Sequence, residues 1–303
     1  MLLEISIIFI YVAIRYEREA EMDFERAEKD SRFFDYCHYE YHPSDYVDKF
    51  TSMNLLLNSF EHSGCDDRFT ALIAAIRNAI GLDNTVWGVK NNGAEGKAEL
   101  KWEFYFYNYK KRNPDITVTK VLDAIRPIVR SNIKMNEKLP YFMFSIDITK
   151  DLDDINCVHL YFPGCDRDGG QCYNYSNSGV FLENSYLFFD AKTELAKVAN
   201  KIKNTPIIDF TTINPRKILR PEYAKCYTIC VSNKKTADCI YYSRIDVDLF
   251  KKFLIEFDYP KDIIDFISAH YDDVKHLLTD VGFDYFLKDG KLKIHKSGYY
   301  GTF

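Results

Sequence analysis

Apolar and polar residues alternate in five pairs of short segments, and segments with helical periodicity separate these pairs. Alternation with a period of two is typical of strands with one buried face, and two such strands joined by a short turn form a β-hairpin. The predicted hairpins pair residues 85–89 with 98–109, 141–148 with 156–162, 171–176 with 179–189, 225–232 with 236–244, and 282–287 with 291–299. A set of this size can close into a barrel, which removes exposed strand edges. The pattern predicts an α/β fold in which a ten-stranded antiparallel barrel is surrounded by helices.

The two faces of the predicted strands differ in chemistry. In the first hairpin the apolar face carries Trp102, Phe104 and Phe106, and the other face carries Lys101, Glu103, Tyr105 and Tyr107. Because the helices must cover an apolar face, we expect the mixed face to line the lumen of the barrel. The same reasoning places these residues on inward faces of later strands: Asp147, His159, Tyr241, Tyr285, Lys293 and His295.

Residues 36–303 are interpreted as a single barrel domain, since no linker interrupts the hairpin pattern. Residues 17–35 are rich in charges at helical spacing, so residues 1–35 are interpreted as an N-terminal extension with helical character. The apolar stretch at residues 2–14 is shorter than the roughly 20 residues that span a bilayer. It also lacks the basic flank of a signal peptide, and the expected location is the cytoplasm.

Composition narrows the classes of function. The 303 residues carry a net charge of -5 and no basic run, which argues against nucleic-acid binding. The 23 tyrosines supply rings with a polar group, which suits a wet cavity. The eight cysteines are interpreted as mostly buried thiols, because the nearest cluster with a histidine (Cys157, Cys165, Cys172 and His159) lacks the paired spacing of zinc ligands. The sequence contains no P-loop, GxSxG or HExxH motif.

Short stretches of the sequence are similar to a known family. They read LPYFMFSID at residues 139–147, followed by HLYFP at 159–163, and NKK at 233–235, followed by IYYS at 240–243. Together with the pattern of residues 60–303, they resemble the bacterial aromatic prenyltransferases of the ABBA type, whose fold is the PT barrel. The resemblance implies transfer of a prenyl group from an allylic diphosphate to an electron-rich aromatic acceptor, either a small molecule or a peptide side chain.

The resemblance also implies roles for inward residues. Glu103 corresponds to an acidic residue near magnesium, which is the cofactor the family suggests, and Glu103 or Asp147 would accept the proton lost from the acceptor. The diphosphate and prenyl chain would be bound by Lys101, Tyr105, Tyr107, His159, Tyr241, Tyr285, Lys293 and His295. Cationic donors would stabilise the leaving diphosphate, and aromatic faces would stabilise the allylic cation. Cys157 departs from the family pattern, since it stands where the family has a diphosphate-binding lysine.

Two other functions fit a barrel of this kind. A non-catalytic barrel that binds an apolar ligand needs a lumen but no cations inside it. An interaction protein would use its helices and fill its lumen with Phe and Leu side chains. Inward lysines and tyrosines favour the enzyme over both alternatives.

Overall fold

The computed structural model describes residues 24–93, 98–107, 113–164, 169–205, 207–211 and 213–303. The strands in these residues are β1 (Phe33–Phe34), β2 (Glu40–Tyr41), β3 (Thr85–Asn91), β4 (Leu100–Tyr107), β5 (Met143–Ile148), β6 (Cys157–Pro163), β7 (Gly169–Ser176), β8 (Gly179–Asp190), β9 (Thr228–Lys234), β10 (Asp238–Ile245), β11 (Thr279–Lys288) and β12 (Lys291–Thr302). The helices are α1 (Met53–Ser63), α2 (Asp67–Ile80), α3 (Val118–Ile125), α4 (Leu195–Lys203), α5 (Arg216–Leu219), α6 (Val247–Glu256), α7 (Lys261–Ala269) and α8 (Tyr271–Val274).

Strands β3 to β12 form a closed barrel, and each strand pairs antiparallel with its neighbours in the chain. The ring closes between β12 and β3, where Tyr299 lies opposite Val89 and Gly301 lies opposite Trp87. The predicted ten-stranded antiparallel barrel surrounded by helices is confirmed. Among the described residues, no helix combines the length and the apolar character needed to cross a lipid bilayer.

The two ends of the barrel differ in their connections. Since consecutive strands run in opposite directions, the turns within the five hairpins all lie at one end, which we call the hairpin end. The connections between successive hairpins lie at the opposite end, which we call the connection end. Those that follow β4, β8 and β10 contain helices α3 to α8.

The outward faces of the strands form the main hydrophobic core together with the helices. Trp102 of β4 packs against Phe60 of α1 and Phe69 of α2, with ring centroids 5.1 and 5.2 Å apart. Its indole N–H donates a hydrogen bond to Ser59 Oγ at 2.9 Å. Phe104 and the other aromatic residues on this face of β4 are also fully buried. The predicted burial of this face under the helices is confirmed.

The segment before the barrel is part of the packed structure from residue 24 onward. Residues 24–35 contain no helix, and their strand β1 pairs with β2. Glu25 forms an ion pair with Arg77 of α2 at 2.7 Å, and the buried Asp35 accepts a hydrogen bond from Arg244 at 2.8 Å. The helical character predicted for residues 17–35 is therefore absent from residues 24–35. Residues 1–23 lie outside the described part of the chain.

The inward residues of the last hairpin differ from those predicted, and a β-bulge interrupts the pairing of its two strands. Asp284 pairs with Lys296, but the next residue, Tyr285, pairs with Ile294, so β12 carries one additional residue at this point. Between the bulge and the connection end the alternation of β12 is regular, so Lys296 shares the inward face of Gly298 and of Tyr300, which lines the chamber. The prediction that Tyr285, Lys293 and His295 face the lumen is wrong: Tyr285 is buried in the outer core beside Phe283, and the other two side chains are exposed.

We expect Phe104→Ala to lower the free energy of unfolding by about 3–5 kcal/mol, because truncation leaves a cavity under the helices. Phe181→Ala is the matched control, since Phe181 is 55% exposed and its truncation should change stability by less than about 0.5 kcal/mol. Urea denaturation followed by circular dichroism measures both. Equal effects of the two substitutions would contradict the burial of this face.

Candidate active site in the barrel lumen

The connection end of the barrel contains a chamber with a volume of about 650 Å³. Its aromatic lining residues are Tyr36, Tyr105, Tyr107, Phe142, Tyr161, Tyr186, Phe188, Phe189, Tyr227, Tyr241 and Tyr300, together with Tyr39. Tyr36, from the segment before the barrel, stacks on Tyr241 with centroids 5.8 Å apart. The lumen is therefore open at this end, which argues against an interaction protein with a filled lumen.

Glycines on neighbouring strands keep the chamber open. Three lining tyrosines lie directly opposite a glycine in the sheet: Tyr241 opposite Gly282, Tyr300 opposite Gly88, and Tyr186 opposite Gly170. A Cβ added at Gly282 would lie 2.3 Å from Cδ1 of Tyr241. The tyrosine ring thus occupies the volume that a side chain at the opposite position would fill. Each ring lies against the wall instead of crossing the lumen.

The inward residues change from aromatic to charged toward the hairpin end. On β4 the inward residues are Tyr107, Tyr105 and then Glu103, which lies opposite Asp147 of β5. Successive inward residues are two positions apart, which corresponds to about 7 Å along a strand. At this depth the barrel contains Lys90, Glu103, Asp147, His159, Glu183, Lys234, Asp284 and Lys296. We call these residues the charged layer.

Glu103 connects the charged layer with the chamber. Its buried carboxylate forms an ion pair with Lys90 and accepts a hydrogen bond from Ser145 at 2.5 Å. It also accepts a hydrogen bond of 2.6 Å from the hydroxyl of Tyr105, which lines the chamber. A proton released in the chamber could therefore reach Glu103 through this hydroxyl group.

His159 lies between two carboxylates. Its Nε2 is 3.0 Å from Asp147, and its Nδ1 is 2.7 Å from Glu183. Burial alone would lower the pKa of His159, but the hydrogen bonds with Asp147, Cys172 and Glu183 outweigh burial and raise that pKa well above its usual value. Burial would raise the pKa of Asp147, but Lys90 and His159 hold it far below its usual value. The imidazolium form of His159 and the carboxylate form of Asp147 thus stabilise each other.

Two lysines share Asp284 on the opposite side of the layer. Lys234 contacts both oxygens of this carboxylate, at 2.7 and 2.8 Å. Lys296 is farther away, with its amine 3.9 Å from Asp284. The positive charge of Lys90, burial and the charge of Lys234 together lower the pKa of Lys296. Repulsion from these amines and burial together therefore outweigh the attraction of Asp284 and Glu103 for the charged form of Lys296.

The structure brings together most of the residues predicted for the site. Glu103, Asp147 and His159 lie in the charged layer, and Tyr105, Tyr107 and Tyr241 line the chamber. Lys101 lies opposite Lys90 in the sheet but near the hairpin end, where its side chain is 40% exposed and contacts Glu99 at 3.2 Å. Tyr285 lies outside the site because Asp284, its neighbour on β11, takes the inward face, and Lys293 and His295 lie outside it because both side chains are exposed near the hairpin end.

Sequence reasoning missed Lys90, Glu183, Lys234, Asp284 and Lys296. The predicted first strand ended at residue 89, although its alternation extends by one more step to Lys90. Lys234 was predicted to lie in a turn, whereas β9 continues through it. If each predicted strand had been extended for as long as its alternation continues, Lys90 and Lys234 would have been included.

Glu103 does not fit the role of a magnesium ligand. One of its carboxylate oxygens contacts the ammonium of Lys90 and the hydroxyl of Tyr105, and the other accepts a hydrogen bond from Ser145. Magnesium requires near-octahedral oxygen coordination and usually keeps several waters. Because the ammonium lies against both Glu103 and Asp147, a magnesium ion would have to displace it. The groups around Glu103 therefore fit an ion pair with the ammonium of Lys90 and do not fit magnesium coordination.

Comparisons with known proteins do not identify a family. No protein-family model matches the chain, and a search of the curated proteins gives no match. Function must therefore be inferred from the fold and from the side chains of the lumen.

We expect Gly282→Ala to lower the free energy of unfolding by about 1–3 kcal/mol, because the new methyl group overlaps the ring of Tyr241. The same substitution should cost much less in a Tyr241→Ala background, which removes the overlapping ring. A double-mutant cycle measured by urea denaturation gives this coupling. If the free-energy costs of the two substitutions are additive, the position of the Tyr241 ring does not depend on Gly282.

We expect Asp284→Asn to lower the free energy of unfolding at pH 7 by about 3–5 kcal/mol, because it leaves buried ammonium groups without a counter-charge. Although burial raises the pKa of Asp284, the charges of Lys234 and Lys296 lower it below its usual value. The stability that the carboxylate contributes is therefore present above the unfolded-state pKa of about 3.9 and is lost as the pH falls through the lower folded-state pKa.

The difference between Asp284→Asn and the unaltered protein should accordingly shrink below about pH 4. Asp289→Asn is the control, since Asp289 is exposed in the last hairpin turn and its substitution should have little effect. Urea denaturation at several pH values measures both variants. A pH-independent loss in Asp284→Asn would contradict the role of its charge.

Proposed function

We propose that the protein transfers a prenyl group from an allylic diphosphate to an electron-rich aromatic acceptor. The observation that carries the proposal is a tyrosine-walled chamber next to a layer that contains the amines of Lys90, Lys234 and Lys296. An allylic diphosphate has an apolar chain and a strongly anionic head. The chain matches the chamber, and the head matches the lysines.

Lys296 supports the placement of the anionic head. Its amine is 3.9 Å from a carboxylate that Lys234 already occupies at 2.7 Å. A bound diphosphate would place negative charge closer to Lys296 than Asp284 does and would offset the repulsion between the buried amines. Tyr300 is the next inward aromatic residue of β12 toward the connection end, so the head and the chain of one ligand can reach both parts of the lumen.

The proposed reaction uses these two environments in sequence. The carbon–oxygen bond of the allylic diphosphate breaks, and its electron pair leaves with the diphosphate, whose developing charge the lysines stabilise. The tyrosine faces stabilise the allylic cation by cation–π interaction and keep water away from it. A ring carbon of the acceptor, or its hydroxyl oxygen, then supplies the electron pair for the new bond to the prenyl carbon.

Proton removal completes the transfer. The acceptor loses one proton, and the hydroxyl of Tyr105 can accept it while passing its own proton to Glu103 over 2.6 Å. Asp147 is less suited to this step because Lys90 and His159 hold its pKa far below the usual value. We therefore assign the base to Glu103, and we assign to Asp147 the positioning of Lys90 and His159.

Incubation of the protein with dimethylallyl or geranyl diphosphate and a library of phenols and indoles tests the proposal. The expected result is an acceptor whose mass increases by one prenyl group, together with release of one equivalent of diphosphate. Binding of prenyl compounds without any product would favour the non-catalytic barrel. Absence of both binding and product would contradict a lumen that holds prenyl ligands.

We expect Lys296→Met to lower turnover by about 100- to 1000-fold, because it removes a preorganised cation beside the leaving group. Lys293→Met is the matched control, since Lys293 lies on the same strand and its side chain is exposed. The turnover of this variant should equal that of the unaltered protein. Steady-state diphosphate release measures both variants, and circular dichroism checks that they are folded. Equal turnover of the two variants would show that Lys296 does not stabilise the leaving diphosphate.

A further inference from the structure

Three different metal-ligand groups converge on strands β6, β7 and β8. They are the imidazole of His159, the thiol of Cys172 and the carboxylate of Glu183, and their ligand atoms all lie within 4.8 Å of one another. Nδ1 of His159 is 2.7 Å from Oε2 of Glu183, and Sγ of Cys172 is 3.9 Å from the same oxygen. Cys172 is 1% exposed, so its thiol points into the protein and not into solvent.

We propose that these three side chains bind one zinc ion. Zinc binds histidine nitrogen and carboxylate oxygen at about 2.0–2.2 Å and cysteine sulfur at about 2.3 Å. Tetrahedral ligands at such distances lie roughly 3–4 Å apart. Small movements of the Glu183 side chain would bring the observed separations of 2.7 and 3.9 Å to these values. The mixture of nitrogen, sulfur and oxygen donors selects zinc or a similar transition metal over magnesium.

The position of Asp147 is an independent observation in favour of a metal. Nε2 of His159 is 3.0 Å from Asp147, so that nitrogen keeps its proton when a metal replaces the proton on Nδ1, which is directed at Cys172 and Glu183. Histidines that bind metals typically donate their other ring N–H to a carboxylate in this way, which fixes the ring and raises its basicity. Asp147 would thus orient a ligand without touching the metal.

The metal has a route to the site that does not pass through the chamber. The side chain of Glu183 is 35% exposed and lines a second cavity of about 390 Å³ toward the hairpin end. A water molecule can complete the coordination, and the amide N–H of Asn174 donates to Glu183 at 3.5 Å and helps to hold its carboxylate. Binding would replace the Nδ1 proton of His159 and the thiol proton of Cys172, so the net charge of the layer would not change.

Titration with cobalt(II), which replaces zinc and is visible by absorption, tests this site in the full chain after treatment with a chelator. We expect one equivalent to bind, with a sulfur-to-cobalt charge-transfer band that disappears when zinc is added. Cys172→Ser should abolish the band. Cys226→Ser, which changes another buried thiol whose Sγ donates to a backbone carbonyl, should leave it unchanged. Asp147→Asn should weaken binding by about 10- to 100-fold while keeping the band.

Thiol mapping in the unaltered protein provides a measurement that does not depend on a variant. Zinc should slow alkylation of Cys172 in native buffer more than alkylation of Cys226, as quantified by peptide mass spectrometry; denaturant is left out because a metal bound to the native state would protect every buried thiol against unfolding. The proposal is overturned if cobalt does not bind saturably or if the band persists in Cys172→Ser. These readouts involve no prenyl substrate, so they remain valid whether or not the protein transfers prenyl groups.

Discussion

Closing ten strands into a ring places every second side chain inside the lumen, and a charge that is buried there must be compensated by other groups of the lumen. The lumen meets this requirement with direct pairs, such as Lys90 with Glu103 and Lys234 with Asp284. Lys296 is paired less closely than Lys234: its amine is 3.9 Å from Asp284, and the charge of Lys90 lowers its pKa. An anionic ligand could contact this amine directly, and this is why the charged layer and the chamber are interpreted as one site.

The shape of the chamber follows from a second constraint, which is the volume of the side chains that line it. A barrel lined by tyrosines would fill its own lumen if each ring pointed toward the axis. Placing Gly88, Gly170 and Gly282 opposite tyrosines provides a recess for each ring on the neighbouring strand. The rings can then present their faces to a ligand, and aromatic faces are the groups that stabilise a carbocation. Large and small residues on adjacent strands thus create both the volume and the chemistry of the chamber.

The parts of the fold that the sequence predicts are those controlled by local pattern. Alternation along β4 correctly separates Trp102 and Phe104 under the helices from Glu103 and Tyr105 in the lumen, because a period of two leaves no other arrangement when one face must be buried. The strand count follows from the same pattern.

The parts that could not be predicted depend on register and on distant contacts. The bulge in the last hairpin adds one residue to β12, and nothing in the local alternation marks this position. Which face of β12 is inward is set by Tyr300 at the chamber, and this places Lys296 in the charged layer instead of Lys293 or His295. The convergence of His159, Cys172 and Glu183 likewise requires three strands to be in register, and the spacing of these residues along the chain resembles no metal motif.

The segment before the barrel shows how the chamber depends on residues that the hairpin pattern does not include. Asp280 of β11 accepts hydrogen bonds from the backbone N–H groups of Tyr36 and Arg244, at 2.5 and 2.6 Å, while the side chain of Arg244 donates to Asp35. These bonds fix the backbone at Tyr36, whose ring then stacks on Tyr241 at the connection end. Because buried carboxylates with so many donors are costly to leave unpaired, the segment and the barrel stabilise each other. The wall of the chamber is therefore completed by a part of the chain that is distant in sequence from the strands it covers.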